Sequence, residues 1–305
     1  MEFFYTPLDE AAQSLGCSIL SGEPMSRHTT FQIGGPADRF VTVESRNQLK
    51  GLLQVLHRES LPYMILGKGS NLLVSDKGIR GAVLLLSGEF RRVELLSNGL
   101  VRAGAGASLA AVCAFAREQG LTGLEFAWGI PGSVGGAAYM DAGAYGGEMR
   151  DVVERVLHVT PEGEESSASG EALEFAYRHS RYTGTRDVIT GVEFRLEPGD
   201  QAQIAAKMEE LMGRRKEKQP YDMPSAGSVF KRPQGAFAAA LIEECGLKGR
   251  SVGGAQVSPK HAGFIVNTGG ATCQDVLDLV GQVQEEVYEK KGIRLEMEVR
   301  VTGEA

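Results

Sequence analysis

The sequence predicts an α+β protein of two domains, and three observations lead to this prediction. Short apolar runs of strand length alternate with helical patterns along the first two thirds of the chain. Residues 198–200, Pro-Gly-Asp, then break this pattern, and a charged helix follows. Two glycine-rich stretches, residues 67–71 and 129–147, each come next to a predicted element. We therefore place a boundary near residues 198–200, between a larger and a smaller α+β domain.

The larger domain is predicted to contain mainly strands, with two helices. The helices are expected at residues 46–59 and after Ser108 through Gln119, where Ser108 caps the helix and Gly120 ends it. Single strands are predicted at residues 38–44, 63–66, 72–74, 82–86 and 188–196. Hairpins are predicted at residues 92–103, turning at the type I′ dipeptide Asn98-Gly99, and at residues 152–167, turning around Pro161-Glu162-Gly163.

The smaller domain is predicted to alternate helices and strands. Helices are expected at residues 201–219, 235–245 and 272–290, and strands near residues 228–231, 263–267 and 295–301. The first of these helices is charged and ends before Pro220.

Composition limits the class of protein. The 305 residues carry a formal net charge of −7, with 42% hydrophobic and 23% charged residues. This balance is ordinary for a globular protein and argues against a general nucleic-acid or membrane-surface binder. Residues 1–10 lack the features of a secretory signal, and no apolar stretch has the length of a membrane span. We expect a cytoplasmic protein and, without an obvious exposed apolar patch, a monomer.

Cysteine and histidine usage predicts no metal site and no disulfide. The four cysteines lie far apart in sequence, and the five histidines show no metal-ligand spacing. We expect the thiols to be reduced and at least partly buried. We expect the histidines to be structural or to lie on the surface.

The run at residues 129–147 is the most informative feature of the chain. Seven of its nineteen residues are Gly and four are Ala. Glycine loses the most conformational freedom on folding, so such a run suits backbone that passes close to a ligand or points successive N–H groups at an anion. A flexible surface loop is the alternative, although its apolar residues are unusual for one. We predict a backbone-lined ligand cleft.

Residues 67–71, Gly-Lys-Gly-Ser-Asn, form a second glycine-rich turn between two predicted strands. The spacing fits neither a Walker A loop nor the G-x-G-x-x-G fingerprint. By itself the segment is equally consistent with a plain turn. Together with the run at 129–147, its N–H, Ser and Asn groups favour an extended dinucleotide with a diphosphate.

These segments resemble a known family. Residues 67–73, 129–136 and 142–146 look like the FAD-binding segments of UDP-N-acetylenolpyruvoylglucosamine reductases, which share the flavin fold of vanillyl-alcohol oxidase. Three further segments match the family in order, at residues 29–35, 226–231 and 295–300. The resemblance covers about residues 25–302 and is nearest to the shorter, type II branch, which lacks an inserted Tyr-bearing segment.

The resemblance implies a fold and a cofactor. Residues 1–198 would form a PCMH-type FAD-binding domain of two α+β subdomains that divide near residue 88. Residues 199–305 would form a substrate-binding domain, whose last strand returns a catalytic Glu to the flavin. The implied non-covalent FAD contacts are Ile65, Gly67, Lys68, Gly69, Ser70, Asn71, Leu72, Gly129, Ile130, Pro131, Gly132, Ser133, Gly135, Gly136, Ala137, Asp141, Gly143, Ala144 and Tyr145.

The resemblance also implies a reaction. NADPH would reduce the bound FAD, which would then reduce UDP-N-acetylglucosamine enolpyruvate to UDP-N-acetylmuramate, a peptidoglycan precursor. Ser228 matches the family's proton donor, and Arg178 matches the arginine that holds the substrate carboxylate. Glu298 matches a second acidic group that stabilises the intermediate. Without the resemblance, Ser228 reads equally well as a turn residue, and Arg178 as one of several surface arginines.

Alternation in the last predicted strand puts Glu296 and Glu298 on one face; Glu298 is chosen because it directly precedes Val299-Arg300, as in the family. Lys218 and Lys231 match substrate-binding lysines, and the basic neighbourhood of Lys218 suits a diphosphate as well as a solvated helix end. The chain departs from the family at Asp141, where Asn is usual.

Two alternatives remain at this level. One is another FAD-linked oxidase or dehydrogenase of the same fold, acting on a hydroxy acid or an alcohol. The other is a nucleotide-binding protein that has lost its chemistry. The presence of Arg178, Ser228 and Glu298 together favours the reductase.

Overall fold

The chain divides into two compact units in a computed structural model that describes residues 3–304. The first unit comprises the described residues up to Ser21, with Arg39–Lys68 and Gly81–Arg214. The second comprises Gly22–Asp38, Gly69–Arg80 and the described residues from Arg215 onward. The predicted division of function near residues 198–200 remains a prediction, because compactness does not reveal which residues bind cofactor and which bind substrate.

Seven α-helices lie within the described range. They are α1 (Thr6–Ser14), α2 (Arg46–Arg58), α3 (Leu109–Glu118), α4 (Val134–Tyr139), α5 (Gln201–Lys218), α6 (Ala238–Glu244) and α7 (Cys273–Lys291). Short 3-10 helices occupy Met25–Arg27, Gly88–Arg91, Glu125–Ala127, Met149–Asp151 and Gly170–Leu173.

The strands are mostly short. They are β1 (Ser18–Pro24), β2 (Pro36–Val43), β3 (Tyr63–Leu66), β4 (Leu72–Val74), β5 (Ile79–Leu86), β6 (Val93–Leu95), β7 (Val101–Gly104), β8 (Leu121–Thr122), β9 (Gly143–Ala144), β10 (Gly147–Glu148), β11 (Val153–Val159), β12 (Glu165–Ser169), β13 (Val188–Phe194), β14 (Glu197–Pro198), β15 (Ser225–Ser228), β16 (Ser251–Val252), β17 (Ala255–Val257), β18 (Phe264–Asn267) and β19 (Arg300–Thr302).

The central sheet of the first unit is antiparallel, with strand order β12-β11-β13-β7-β6. All seven residues of β13 are buried, as expected for a strand covered on both faces. A second sheet has the order β1-β2-β5-β3, in which β3 and β5 run parallel. Helix α2 begins with a capping box between Ser45 and Gln48, and its leucines are buried in the core of this unit. The sequence predicted α2 and β13 closely, and the mixed α+β class is confirmed.

The two predicted hairpins are present, but one turn differs from the prediction. Gly99 has a φ of +82°, whereas Asn98 is not among the residues with positive φ. A type I′ turn requires positive φ at both central residues. The Leu96 N–H donates to the Leu100 carbonyl over 2.8 Å, which closes a three-residue loop with Gly99 at its left-handed position. The type I′ prediction was therefore wrong, although the hairpin was right.

The second unit has its own sheet and core. Its antiparallel strands have the order β15-β18-β17-β16, and β19 runs parallel to β4. Helix α7 starts with a capping box between Thr272 and Asp275 and ends at Gly292, whose φ is +70°. Its buried residues recur every three or four positions and face the core of this unit.

Several element boundaries differ from the sequence prediction. The helix predicted at 235–245 begins at Ala238, because Gly235 has a φ of +72° and Phe237 is extended. The strand predicted at 228–231 lies at Ser225–Ser228, and the final strand covers only Arg300–Thr302. Within residues 3–304, no helix combines the length and the apolar character that a membrane span requires.

Candidate active site

Two predicted cofactor segments meet in the first unit. Gly67 follows β3, and a Cβ added at Gly67 would lie 2.3 Å from the Oγ of Ser133. Contacts this short do not occur between real side chains, so a side chain at position 67 would require Ser133 to rotate or shift. The first glycine of the 67–71 turn and the middle of the 129–147 run therefore come into direct contact, which the sequence did not specify.

Ser133 also starts helix α4, an element that the sequence analysis missed. Its Oγ accepts a hydrogen bond from the Gly136 N–H over 3.3 Å, as an N-cap residue does. The Gly135 N–H donates to the Ala105 carbonyl over 2.9 Å, and a Cβ at Gly135 would lie 2.8 Å from that of Ala105. Gly135 is therefore needed for close packing inside the unit, whereas Gly136 is exposed. A Ser before a small-residue run was the available signal for this helix.

Asp141, where the family usually has Asn, is turned toward the protein. Its side chain is 0% exposed and lies 2.8 Å from the Nη2 of Arg150. Its Oδ1 accepts the Arg150 N–H over 2.9 Å, and its φ of +46° is in the left-handed region. Burial raises the pKa of the Asp141 carboxyl despite these contacts. Sequence reasoning missed Arg150, whose positive charge compensates a carboxylate in this position.

The remaining predicted cofactor residues of the first unit precede or follow α4 in the sequence. Ile65 is half-buried in β3, and Lys68 is exposed. Gly143 and Ala144 form β9, and Tyr145 follows with a φ of +54° and 45% exposure. Residues 129–132 (Gly-Ile-Pro-Gly) precede Ser133, and Gly129 has a φ of +83°.

An open cavity of about 550 Å³ lies in the first unit, and Tyr145 is the predicted site residue that lines it. Phe126 and the N-terminal half of α5 form much of the remaining wall.

The second half of the 67–71 turn belongs to the second unit. Gly69 has a φ of +61°, and an added Cβ would lie 2.2 Å from the His28 carbonyl oxygen. The Thr30 N–H donates to the Gly69 carbonyl over 3.2 Å. The matching segment at residues 29–35 therefore supports the turn on which Ser70 and Asn71 lie.

Asn71 links this turn to the last segment of the chain. Its Nδ2 donates to the main-chain carbonyl of Glu298 over 3.2 Å, and its own carbonyl accepts the Arg300 N–H over 3.0 Å. Leu72 continues into β4, where it pairs with Arg300 of β19. Asn71, predicted to contact cofactor, thus also fixes the main chain at Glu298.

Ser228 lies at an irregularity of the second sheet. Ser225 pairs with Val266 and Ser228 pairs with Phe264, so three steps on β15 match two on β18. The extra residue forms a bulge that includes Gly227, whose φ is +80°. Bulges redirect side chains and are frequent next to active sites. The partly exposed Ser228 hydroxyl has no hydrogen-bond partner among residues 3–304.

The backbones of Ser228 and Glu298 are neighbours. The Glu298 N–H donates to the carbonyl of Val229, the residue after Ser228, over 2.7 Å. Phe230 and Met297 form an isolated bridge beside it. Residues 295–299 lie outside β19, so strand alternation does not place Glu296 and Glu298 on one face as predicted. Glu296 is exposed and forms an ion pair with Lys231, whereas Glu298 is half-buried.

Arg178 occupies a strained turn in the first unit. Ala176 and His179 exchange main-chain hydrogen bonds of 3.1 and 2.8 Å, which close a turn over Tyr177 and Arg178. Arg178 has a φ of +57°, a region unfavourable for a non-glycine residue, and strain of this kind clusters at functional sites. Its guanidinium lies 5.0 Å from the centroid of the Tyr177 ring.

Lys218, the last residue of α5, is exposed. The Lys260 Nζ donates to the Lys216 carbonyl over 2.6 Å, which adds a further cation to this basic helix end. Within residues 3–304, no group of three or more His, Cys, Asp or Glu side chains has the arrangement of a metal site.

Two glycines of the 67–71 turn are packed closely against other segments of the protein. Gly67 and Gly69 each lie where a side chain would collide, with Ser133 and His28 respectively. An FAD-binding domain model matches residues 37–169. The mixed helices and strands agree with an α+β FAD-binding fold. Fold and site together define an FAD-dependent oxidoreductase.

Residues 219–302 match the C-terminal domain of UDP-N-acetylenolpyruvoylglucosamine reductase. The reductase of that name from Caldanaerobacter subterraneus subsp. tengcongensis is 50% identical over 92% of this chain and 93% of its own length. The one from Geobacillus thermodenitrificans is 47% identical over 94% of each. The crystal structure of the reductase (MurB) from Thermus caldophilus superimposes with a TM-score of 0.81 at 40% identity, covering 93% of this chain and 98% of that one. The chain belongs to the UDP-N-acetylenolpyruvoylglucosamine reductase family.

Proposed function

We propose that the protein reduces UDP-N-acetylglucosamine enolpyruvate to UDP-N-acetylmuramate with NADPH, in the synthesis of peptidoglycan precursors. FAD, when bound, would supply the hydride chemistry that links NADPH to the substrate. Residues 1–198 would hold the cofactor, and residues 199–305 would supply substrate-binding groups and the segment that carries Glu298.

The Ser228 hydroxyl is the observation that carries this proposal. Reduction of the enolpyruvyl double bond requires a hydride at C3 and a proton at C2. A serine that donates a proton to substrate needs a hydroxyl that is not committed to another acceptor. Ser228 lies on a bulge with such a hydroxyl, one residue from the main chain that holds Glu298. We assign Ser228 as the donor of the C2 proton.

Arg178 and Glu298 are assigned to the negative charge of the reacting group. As hydride reaches C3, charge accumulates on the carboxylate attached to C2, and a fixed guanidinium stabilises that charge more than it stabilises the ground state. The strained turn at Arg178 supports this role, because strain of this kind persists where the surrounding structure imposes it. Glu298 would share in stabilising the intermediate as a neutral acid that donates a hydrogen bond to the developing negative charge, with its main chain held by Val229 and Asn71.

Lys218 and Lys231 are proposed to contact the substrate, with Lys218 directed at the diphosphate. The local positive charge at the end of α5, reinforced by Lys260, supports this role in a chain of net charge −7. Lys231 is paired with Glu296 in the structure, so substrate binding through Lys231 would exchange this carboxylate for a substrate group.

The test follows the visible spectrum of the purified protein under anaerobic conditions. Addition of NADPH should bleach the flavin bands, and addition of the enolpyruvyl substrate should restore them. Recovery with oxygen but not with the enolpyruvyl substrate would instead identify an oxidase or dehydrogenase of this fold. If the protein binds UDP-sugar and flavin but NADPH does not bleach the flavin, the protein is a non-catalytic nucleotide-binding protein. If the protein is colourless and takes up no FAD, the proposed cofactor site is wrong.

We further propose that the protein acts as a cytoplasmic monomer on small molecules and not on nucleic acid. The acidic net charge argues against nucleic acid as a partner, and four free cysteines suit a reducing compartment. Light scattering after size exclusion, together with fractionation of the source cells, tests it; a dimer or a membrane-associated fraction would contradict it.

A further inference from the structure

Ser180 carries a fully buried hydroxyl two residues after Arg178. Its exposure is 0%, and its Oγ donates to the main-chain carbonyl of Tyr139 over 2.7 Å. Tyr139 is the last residue of α4, and the last carbonyls of a helix have no partner inside it. The bond therefore satisfies one polar group in each of two segments that lie 41 positions apart in sequence.

The segment around Arg178 is held together by hydrogen bonds of its own. The Arg181 N–H donates to the Leu173 carbonyl over 2.9 Å, and the Thr183 N–H donates to the Ser180 carbonyl over 2.8 Å. The Ser180 N–H donates in return to the Thr183 Oγ1 over 3.2 Å. A bond from Ser180 to another element therefore fixes the whole turn and not one side chain alone.

The acceptor of this bond belongs to an equally fixed segment. Helix α4 contains Gly135, Gly136 and Ala137, all predicted to contact FAD. The Ala142 N–H donates back to the Ala137 carbonyl over 2.9 Å, which closes the end of the helix just after Tyr139. The Tyr139 carbonyl is thus a hydrogen-bond acceptor whose position is fixed by the predicted cofactor-binding segment.

We propose that Ser180 is a positioning residue, which holds the Arg178 turn on the cofactor-binding helix α4 and thereby aligns the guanidinium with the substrate carboxylate. This inference rests on the proposed function, because it takes Arg178 as the carboxylate-binding group. Charge-assisted pairing of a guanidinium with a carboxylate depends on geometry, and a displacement of about 1 Å is enough to reduce a rate by about a hundredfold.

The test compares Ser180→Ala with the wild type in both half-reactions. In Ser180→Ala, reoxidation of the flavin by the enolpyruvyl substrate should slow by about 10- to 100-fold, while flavin content and reduction by NADPH remain unchanged. Affinity for the enolpyruvyl substrate should fall, while affinity for UDP-N-acetylglucosamine, which lacks the carboxylate, should not. Equal losses for both ligands, or no loss, would overturn the proposal.

Thr185→Ala is the matched control. The Thr185 Oγ1 also donates to a main-chain carbonyl, that of Tyr182 at 3.1 Å, but this bond stays within its own segment. We expect both half-reactions of Thr185→Ala to match the wild type. If Ser180→Ala does not retain FAD, Ser180→Cys keeps a similar volume with a weaker donor and should show the same carboxylate-specific loss to a smaller degree. A wild-type rate in that variant would count against the proposal.

A double variant separates this inference from a general structural role. If Ser180 acts through Arg178, Ser180→Ala should cause little further loss in an Arg178→Lys background, because the two changes remove the same alignment. Independent, multiplicative losses would overturn the inference. Reoxidation of the wild-type flavin by the enolpyruvyl substrate is measured before any variant is made. If the wild type is not reoxidised, the proposed function itself is refuted.

Discussion

The side-chain amide of Asn71 donates to the main-chain carbonyl of Glu298 over 3.2 Å, joining residues 227 positions apart. Asn71 closes a glycine-rich turn predicted to bind FAD, and Glu298 is a predicted catalytic residue. The Arg300 N–H returns a hydrogen bond to the Asn71 carbonyl over 3.0 Å. One turn of the second unit therefore sets the position of both a predicted cofactor contact and the main chain of the predicted catalytic acid.

Replacing Ser228 by Ala should abolish most of the second half-reaction. Loss of a proton donor typically slows a reaction by about 10²–10⁴, so reoxidation by the enolpyruvyl substrate should slow by that factor, with reduction by NADPH unchanged. Stopped-flow absorbance of the flavin measures both steps. Ser225→Ala, on the same strand, is the control and should behave as the wild type. Similar kinetics for the two variants would mean that Ser228 only closes a turn.

Replacing Arg178 by Ala should reduce reoxidation by about 10²–10³, the loss typical for removing one group that stabilises developing negative charge. Flavin binding should be retained, because Arg178 is assigned to the substrate and not to the cofactor. Arg186→Ala tests a nearby exposed arginine and should leave turnover intact. If Arg178→Ala lost flavin and turnover to the same extent, the residue would be structural.

Replacing Gly67 by Ala should weaken FAD binding. The new Cβ would lie 2.3 Å from the Ser133 Oγ, so Ser133 would have to leave its N-cap position or the two predicted cofactor segments would have to move apart. We expect a loss of at least about tenfold in affinity, or ~1.4 kcal/mol, measured by fluorescence titration of the apoprotein. Gly213→Ala, in α5 with no atom within 4 Å of its added Cβ, should bind FAD normally. Normal FAD binding by both Gly67→Ala and Gly213→Ala would show that FAD binding does not depend on the close contact between Gly67 and Ser133.

Replacing Asp141 by Asn should change the pH dependence of stability. The pKa of Asp141 is raised in the folded protein, chiefly by burial, so the folded state binds more protons than the unfolded chain above the ordinary carboxyl pKa of 3.8. The contribution of this group to stability therefore falls as pH rises through that window. Asp141→Asn, neutral at every pH, should be least destabilised relative to the wild type at neutral pH.

Urea unfolding of Asp141→Asn and wild type from pH 4 to pH 8 measures this effect. The free-energy difference between them should shift in favour of the variant as pH rises. Asp222→Asn, at an exposed carboxylate, is the control and should show no such trend. A trend of opposite sign would mean that the Arg150 ion pair outweighs the burial of the carboxylate.

Local patterns predicted most elements because their causes are local. The amphipathic pattern at residues 46–59 predicted α2, and the strand-length run at residues 188–196, which contains Val188, Ile189 and Phe194, predicted β13. Helix α4 escaped prediction because its residues are mainly Gly and Ala, which carry no hydrophobic periodicity. The Asn98-Gly99 turn was misassigned because dipeptide preference does not determine how many residues the loop contains.

The sequence by itself determined the α+β class, the glycine-rich segments and the residue types that resemble a flavin-dependent reductase. Helix caps, turns and amphipathic patterns arise from residues that are close in sequence, so the sequence alone predicts them. The tertiary structure decided the contact of Gly67 with Ser133, the bond from Ser180 to Tyr139 and the burial of Asp141 beside Arg150. The Gly67–Ser133 contact and the Ser180–Tyr139 bond join residues far apart in sequence. All three features involve a buried polar side chain whose partner is set by the fold, and no local sequence pattern specifies that partner.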